Sequence, residues 1–329
     1  MQRPKVVDVH AHITPRRFQD VVNRGNDWHG MTTDDGELWN IRNRWNPQQR
    51  LEEMDAIKVD VQMLSPTIDF YQYHREGADT ARIASETNDE VADLVREYPE
   101  RFVGLGTLPM QDADRTNEEL VRGMNELGLR GFEIGDHVNG LTYDNEFFDP
   151  FWETVNELGA FILVHQYRAT CVLYRTRNYS LGNSIGNLVD RTLTFGCLVF
   201  GGVMDKYPDL QICLSHGGGY TSFGIDRMDK AWEAFPQLQG KSSDRPSSYL
   251  KRFYYDSITW QERTLRFILD VVGADRVLFG TDWPAPMMVD DPVRLIESME
   301  GIRKDERDAI LSNNAALLLG SANALPAAN

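Results

Sequence analysis

Short apolar runs, separated by longer stretches of helical spacing, recur along the whole chain. Val6-Val7-Asp8-Val9-His10 opens the series. Val59 to Leu64, Phe102 to Leu108, Leu129 to Ile134, Phe161 to His165, Gln211 to Ser215, Phe253 to Ser257 and Arg276 to Gly280 continue it. Near-continuous apolar runs of this length read as strands covered on both faces, the habit of a parallel sheet. Eight such units with helices between them predict an α/β fold, a closed (β/α)8 TIM barrel rather than an open sheet. Between the runs, Asp149-Pro150 before Phe151-Trp152 predicts a capped helix with proline in its first turn, and Gly159 a stop. Leu51, Met54 and Ile57 fall at helical spacing, as do Ala84, Asn88, Val91 and Val95, with polar Asn88 interrupting the stripe. The stretch from Ile13 to Trp45 is aromatic, polar and punctuated by Gly25, Gly30 and Gly36. It predicts a lid-like insertion after strand 1, residues 13–45, folded over the barrel mouth. The Ala-rich residues 321–329 are expected to fray, and one domain is expected to span 1–329.

Composition narrows the partners. Thirty-four basic residues stand against fifty acidic ones, a formal charge of -16. A polyanion or an anionic membrane surface rewards a basic face, so neither nucleic acid nor membrane is an expected partner. No run of about 18 apolar residues occurs, and the first residues lead straight into a strand, so neither a membrane span nor a signal peptide is expected. Cys171, Cys197 and Cys213 lie in apolar stretches and read as reduced thiols of a cytoplasmic protein.

Catalytic groups in such barrels come from the C-terminal ends of the strands. Strand 1 ends His10-Ala11-His12, whose alternation sends both imidazoles to one face, the barrel interior. Strand 5 ends at His165, strand 6 runs through His216 into Gly217-Gly218-Gly219, and strand 8 ends Thr281-Asp282-Trp283-Pro284. Four of the seven histidines and one aspartate thus converge on one mouth. Imidazoles with a single carboxylate suit Zn²⁺ or a similar divalent ion that keeps one position open for water or substrate. A water on such an ion can fall to a pKa of about 7, and a further histidine can move its proton.

The same residues, with Trp45-Asn-Pro, Arg50-Leu-Glu-Glu-Met-Asp55, Arg227-Met-Asp-Lys-Ala-Trp232, Arg245-Pro-Ser-Ser-Tyr249 and Phe253-Tyr-Tyr-Asp256, carry a resemblance from about Val6 to Leu319. The chain resembles the amidohydrolase superfamily, in particular the subgroup of aminocarboxymuconate semialdehyde decarboxylase and the γ-resorcylate-type hydroxybenzoate decarboxylases. The resemblance implies one divalent metal held by His10, His12, His165 and Asp282, with Zn²⁺ expected and Mn²⁺ the alternative. His216 would be the acid/base beside it. Arg227 matches an arginine that in the family crosses a homodimer interface to hold a substrate carboxylate. A second family arginine lies in the insertion before the Trp-Asn/Asp-Pro turn; Arg42 and Arg44 stand nearby at a different spacing, which assigns the role to neither one. Gln166-Tyr167-Arg168 stands where the muconate enzyme has Pro-Trp, and Trp283 replaces a tyrosine. These neighbours are expected to line the pocket, Tyr167 and Trp283 as stacking surfaces for a flat substrate and Arg168 as an anion contact.

The expected activity is metal-dependent, non-oxidative decarboxylation of a small unsaturated or aromatic carboxylate. His216 would either activate a water that adds to the substrate, or share with Asp282 the delivery of a proton to carbon. A hydrolase or hydratase on the same site is the alternative, and a catalytically silent binding protein is a third class. Strand 4 carries Glu133 but no lysine, so a bridged two-metal site is the lesser expectation, and Glu133 reads as a strand-end carboxylate bonded to a neighbouring loop. Asp256 reads as orienting a neighbour, His29 and His74 as packing or surface residues, and His137 as either a substrate contact or a loop residue. Arg175 and Arg177 join Arg168 in a local basic patch. Gly217 to Gly219 read as room for substrate, and Phe195 to Phe200 as part of a dimer contact.

Overall fold

The computed structural model describes residues 5–36, 38–168 and 175–319; Cys171 and the tail from residue 321 lie outside them. Eight strands, β1 (Val7–Ile13), β2 (Val61–Pro66), β3 (Phe102–Gly106), β4 (Gly131–Gly135), β5 (Phe161–His165), β6 (Gln211–Leu214), β7 (Phe253–Asp256) and β8 (Val277–Leu278), pair in sequence order. Every pairing is parallel. The ring closes between the last strand and the first. Val9 N donates to Phe279 O at 2.9 Å, His12 N to Trp283 O at 2.7 Å, and Ala11 bridges Trp283. This is the expected (β/α)8 barrel.

β1 carries an extra residue. Its register against β2 slips between Asp8 and Ala11, the signature of a bulge. Val7 and Val9 join Val61, Met63, Leu105, Phe161, Leu163, Cys213 and Leu278 in the apolar barrel interior. Strict alternation would then turn His10 outward. The bulge instead returns it to the interior, where its ring meets Asp256 of β7, and His12 follows on the same face. Ala315 and Leu319 of the C-terminal segment pack into the same interior cluster, and Leu319 O accepts from Arg130 just before β4 at 2.6 Å. The N-terminal end of the barrel is thereby plugged.

The helix Gly77–Glu97 shows why the polar residue in its apolar stripe is tolerated. Asn88 is buried, donates to Thr107 O and Glu119, and accepts from Thr107 N, so it ties the helix to the end of β3. The helix Asp149–Leu158 carries Pro150 in its first turn and stops at Gly159 in the left-handed conformation, φ 61°. Asp149 is its first helical residue, not its cap. After β1, Phe18, Val22, Trp28, Met31 and Leu38 form a small apolar cluster with Phe70 and Ile83. This anchors the segment and lets Asn40 reach the mouth, where it donates to Pro284 O at 2.6 Å. Among the described residues no helix is long and apolar enough to cross a membrane.

Candidate metal centre

His10 and His12 leave β1, His165 ends β5, and Asp282 follows β8; all four are buried, and their ligand atoms lie within 4.8 Å of one another. His10 Nε2 and His12 Nε2 are 3.1 Å apart. Asp282 Oδ1 is 3.1 Å from His12 Nε2, 3.4 Å from His10 Nε2 and 4.0 Å from His165 Nε2. Donors about 2.1 Å from one tetrahedral ion stand roughly 3.4 Å apart, so the spacing suits a single cation. A second observation agrees. Both ring nitrogens of His165 are buried without a hydrogen-bond partner among the described residues, which is costly in a folded interior unless a ligand satisfies one of them.

The outer nitrogens of His10 and His12 are held by the protein. His10 Nδ1 donates to Asp256 Oδ2 at 2.7 Å, and Asp256 Oδ1 accepts from Gly217 N and Ile258 N. That fixes the tautomer with Nε2 facing the centre. His12 Nδ1 lies 3.2 Å from Ser65 Oγ, which donates to Glu133 Oε2 at 2.6 Å. Tyr71 OH donates to the other oxygen of Glu133 at 2.5 Å. Arg50, buried, donates to His12 O at 2.5 Å and stacks on the Trp283 ring 3.8 Å from its centroid.

Burial opposes the charged form of His10, but Asp256 and Asp282 outweigh it and carry the imidazole up to about 10. Burial opposes the Asp282 carboxylate too, yet the imidazoles of His10, His12 and His216 hold it well below the usual range. For His165, burial and the neighbouring imidazoles act together and push it well below its ordinary value. It is therefore neutral, the form that ligates a metal.

His216 Nε2 stands 3.4 Å from Asp282 Oδ2. Its backbone and that of Asp282 are both left-handed, φ 54° and 61°, a conformation uncommon for residues other than glycine and concentrated at functional sites. Burial lowers the His216 pKa. A cavity of about 560 Å³ opens over His216 and Asp282, walled by Gln166, Asn187, Leu188, Trp260, Pro286 and Met287, with Trp39, Ser180, Asn183 and Ser184 at the rim. The Trp260 ring lies parallel to the His216 imidazole, 9° apart in plane and 6.4 Å between centroids.

The amidohydrolase family profile matches residues 7–321. The chain belongs to the amidohydrolase family. It is 31% identical over 328 residues to the 2-amino-3-carboxymuconate-6-semialdehyde decarboxylase of Dictyostelium discoideum, covering 95% of this chain and 91% of that one. It is 30% identical over 254 residues to the γ-resorcylate decarboxylase of Polaromonas, covering 72% and 76%. The crystal structure of a dihydroxybenzoic acid decarboxylase from Polaromonas, with bound manganese and the inhibitor 2-nitroresorcinol, superposes with a TM-score of 0.83. That match is 26% identical and covers 98% of this chain and all of the other. These relatives are decarboxylases, the solved one with manganese bound, and the buried group of three histidines and one aspartate fits a single divalent ion.

Within this amidohydrolase fold the residues singled out by sequence separate into two groups. His10, His12, His165, His216 and Asp282 meet at one point. The proposed substrate contacts do not meet there. Trp283 is buried outside the cavity, its Nε1 donating to Glu53 at 2.8 Å and its face taken by Arg50. The left-handed turn at Asp282 sends it away from the mouth. Tyr167 packs on Tyr71, Tyr73 and His137, and Arg168 is exposed over the Tyr167 ring. The flat aromatic side chain that does border the cavity is Trp260, which sequence pattern did not single out because it lies in an irregular loop after β7. Arg42 and Arg44 are exposed and turned to Glu53 and Leu38 O. Arg175, Arg177 and Arg227 are exposed as well.

Gly217 to Gly219 are required by packing rather than by substrate. A Cβ on Gly219 would sit 2.1 Å from Leu188 O, and one on Gly218 2.5 Å from the Tyr255 ring. Glu133 faces the outer nitrogens, 3.5 Å from His12 Nδ1 and 3.9 Å from His165 Nδ1, and stands outside the group that converges on the metal position. His29 pairs with Glu86 at 3.1 Å, His74 is exposed, and His137 Nδ1 accepts from Gly140 N.

Proposed function

We propose that this chain is a metal-dependent, non-oxidative decarboxylase of a small unsaturated or aromatic carboxylate, with His10, His12, His165 and Asp282 as ligands and His216 as the acid/base. The observation that carries this reading is the position of His216. It is buried, depressed in pKa, 3.4 Å from the ligand carboxylate, and opens onto a cavity of a size for a small organic acid. Zn²⁺ suits three imidazoles and one carboxylate, and the relative's manganese makes Mn²⁺ the next choice. When bound, the ion supplies the positive charge that draws a carboxylate to the mouth and polarises an adjacent oxygen.

The chain's own residues do the rest. Neutral near pH 7, His216 takes a proton from water or a substrate hydroxyl at Nε2. When the carbon–carboxylate bond breaks, the electron pair stays on carbon and CO₂ departs. His216 then returns that proton to the carbon, directly or by way of the Asp282 carboxylate 3.4 Å away. Trp260 supplies a flat apolar face for the substrate, and its position over the cavity excludes water from one side. Arg227 is exposed on the helix Thr221–Ala234, one turn after Phe223, which is 83% exposed. We assign this face to a homodimer contact through which Arg227 of a second copy reaches the carboxylate. Cys197 and Cys213 are free thiols, in keeping with a cytoplasmic enzyme.

The test is CO₂ release by the Zn- or Mn-loaded protein from ortho-hydroxy and ortho-amino aryl carboxylates and muconate-type semialdehydes. Release is expected, and His216→Ala should cut it by about 10²–10⁴-fold while retaining the metal. Silence across the panel with metal bound overturns the reading.

A further inference from the structure

His216 sits on an unusual stretch of backbone. It and the three glycines after it are all left-handed, with φ of 54°, 62°, 72° and 63°. The turn has little bonding of its own beyond Gly219 N, which donates to His216 O at 3.1 Å. Such a run keeps its shape only where its surroundings over-determine it. On one side Asp256 accepts from Gly217 N. On the other stands the helix Asn187–Phe200. A Cβ on Gly219 would lie 2.1 Å from Leu188 O and 3.0 Å from Arg191 Cβ, so the helix presses directly on the turn. Just beyond it, Tyr220 N donates to Thr192 Oγ1 at 2.9 Å. The turn takes its position from the helix.

The helix packs into the core through Phe195, Leu198 and Val199, contacts without direction that tolerate small slides. Its directional ties run to Asp136, just after β4. Arg191, fully buried, donates from Nη1 to Asp136 Oδ1 at 2.8 Å, and Thr194 Oγ1 donates to Asp136 O at 3.0 Å. As a source of stability the pair is poor. Arg191 Nε and Nη2 and Asp136 Oδ2 are buried without a hydrogen-bond partner among the described residues, and each such atom costs free energy. Burial pushes the Asp136 carboxyl up to about 8 against the pull of Arg191, so near neutral pH the tie is the bond from Nη1 to Oδ1 more than opposite charge. Apolar side chains of similar volume often serve a core as well or better. They do not, however, fix one rotation and one height of a helix.

We propose that Asp136 and Arg191 are positioning residues for His216: through the helix Asn187–Phe200 and its contact with Gly219, they hold the His216 turn at its distance from Asp282. Neither residue lines the cavity over the metal position. The inference rests on the assignment of His216 as the acid/base, while the mechanical link stands on the contacts alone.

The test uses the Zn-loaded protein and reads structure and turnover separately. Hydrogen exchange of the peptide spanning residues 215–220, followed by mass spectrometry, reports on the turn without substrate. CO₂ release gives kcat and KM. Asp136→Asn, which keeps the acceptor for Nη1, should leave exchange unchanged and kcat within about threefold of wild type. Asp136→Ala should speed exchange of that peptide by at least about tenfold while the peptide of β2 does not change. It should also lower kcat by about tenfold to a hundredfold with KM within about threefold, because misplacing a proton-transfer group costs rate more than binding. The double variant Arg191→Met/Asp136→Leu removes both polar groups, is expected to fold at least as well as Asp136→Ala, and should show the same two losses. Should Asp136→Ala fail to fold, the double variant and Asp136→Asn carry the comparison. A double variant with wild-type exchange and kcat overturns the inference, as does an asparagine variant that falls as far as the alanine. Faster exchange shared by β2 would mark a merely structural role and overturns it too. If the wild type releases no CO₂ from any acid, the decarboxylase reading falls, and the exchange pattern alone decides the positioning.

Discussion

The two flanks of the metal position are built differently. On the β1, β7 and β8 side, His10 is clamped through Nδ1 to Asp256, and Asp256 is itself held by two backbone amides. On the β4 and β5 side, His165 has no hydrogen-bond partner at either nitrogen among the described residues, and the nearest carboxylate, Glu133, is already occupied by Ser65 and Tyr71. The first flank is organised by the protein with or without an ion. The second leaves a buried imidazole whose best partner is the ion itself. Folding and metal binding are therefore coupled mainly through His165, while affinity is tuned mainly through Asp256.

The largest expected effect exploits that coupling. Metal added at about 1,000 times its dissociation constant should stabilise the fold by about 4 kcal/mol. By differential scanning calorimetry that is a rise in Tm of roughly 6 °C for a chain of this size. An unchanged Tm with metal demonstrably bound would mean that His165 does not depend on the ion. Next in size is the contrast between the two carboxylates. Asp256→Ala should weaken metal binding by about 10–100-fold in a chelator competition, whereas Glu133→Leu should change it less than about threefold. Glu133→Leu should instead cost about 1–3 kcal/mol in urea unfolding, since Ser65 and Tyr71 lose their acceptor. The opposite pattern would show that Glu133 orients a ligand.

Gly219→Ala should also cost about 1–3 kcal/mol by the same unfolding measurement, because the Leu188 carbonyl must move. The smallest effect separates the two indoles. Trp260→Leu should raise KM for an aryl acid by about threefold to tenfold. Trp283→Phe should leave KM within about twofold and lower stability by about 1 kcal/mol through the lost bond to Glu53. A KM change at Trp283 instead would place the substrate on the other side of Asp282.

The barrel and the convergence of His10, His12, His165, His216 and Asp282 were legible because both follow from local pattern. Apolar runs mark strands, and a polar residue at the end of one marks the mouth. What was illegible depends on pairs far apart in the chain or on single backbone torsions. His10 and Asp256 are 246 positions apart, and only the ring closure brings them together; the sequence allowed an orienting role for Asp256 without naming its partner. Tyr167 and Trp283 were placed by proximity to a ligand. A left-handed φ of 61° at Asp282 and the tyrosine cluster beside β5 turn both away from the mouth. The glycines after His216 carried the right signal, close approach, but the approaching group is backbone and ring rather than substrate. Asn88 looked like a flaw in a helix stripe because its partners, Thr107 and Glu119, belong to later elements.

The bulge in β1 gives that strand two reading frames. Below it, Val7 and Val9 are in phase with the barrel's packing; above it, His10 and His12 are in phase with the metal position. The frames are offset by one residue, so each half is free to change side-chain size or chemistry without dictating which way the other half faces. Deleting one residue between Asp8 and Ala11 would merge them and rotate one half of the strand to the wrong side. A single inserted residue is thus what allows a sealed apolar interior and a charged centre to share one strand.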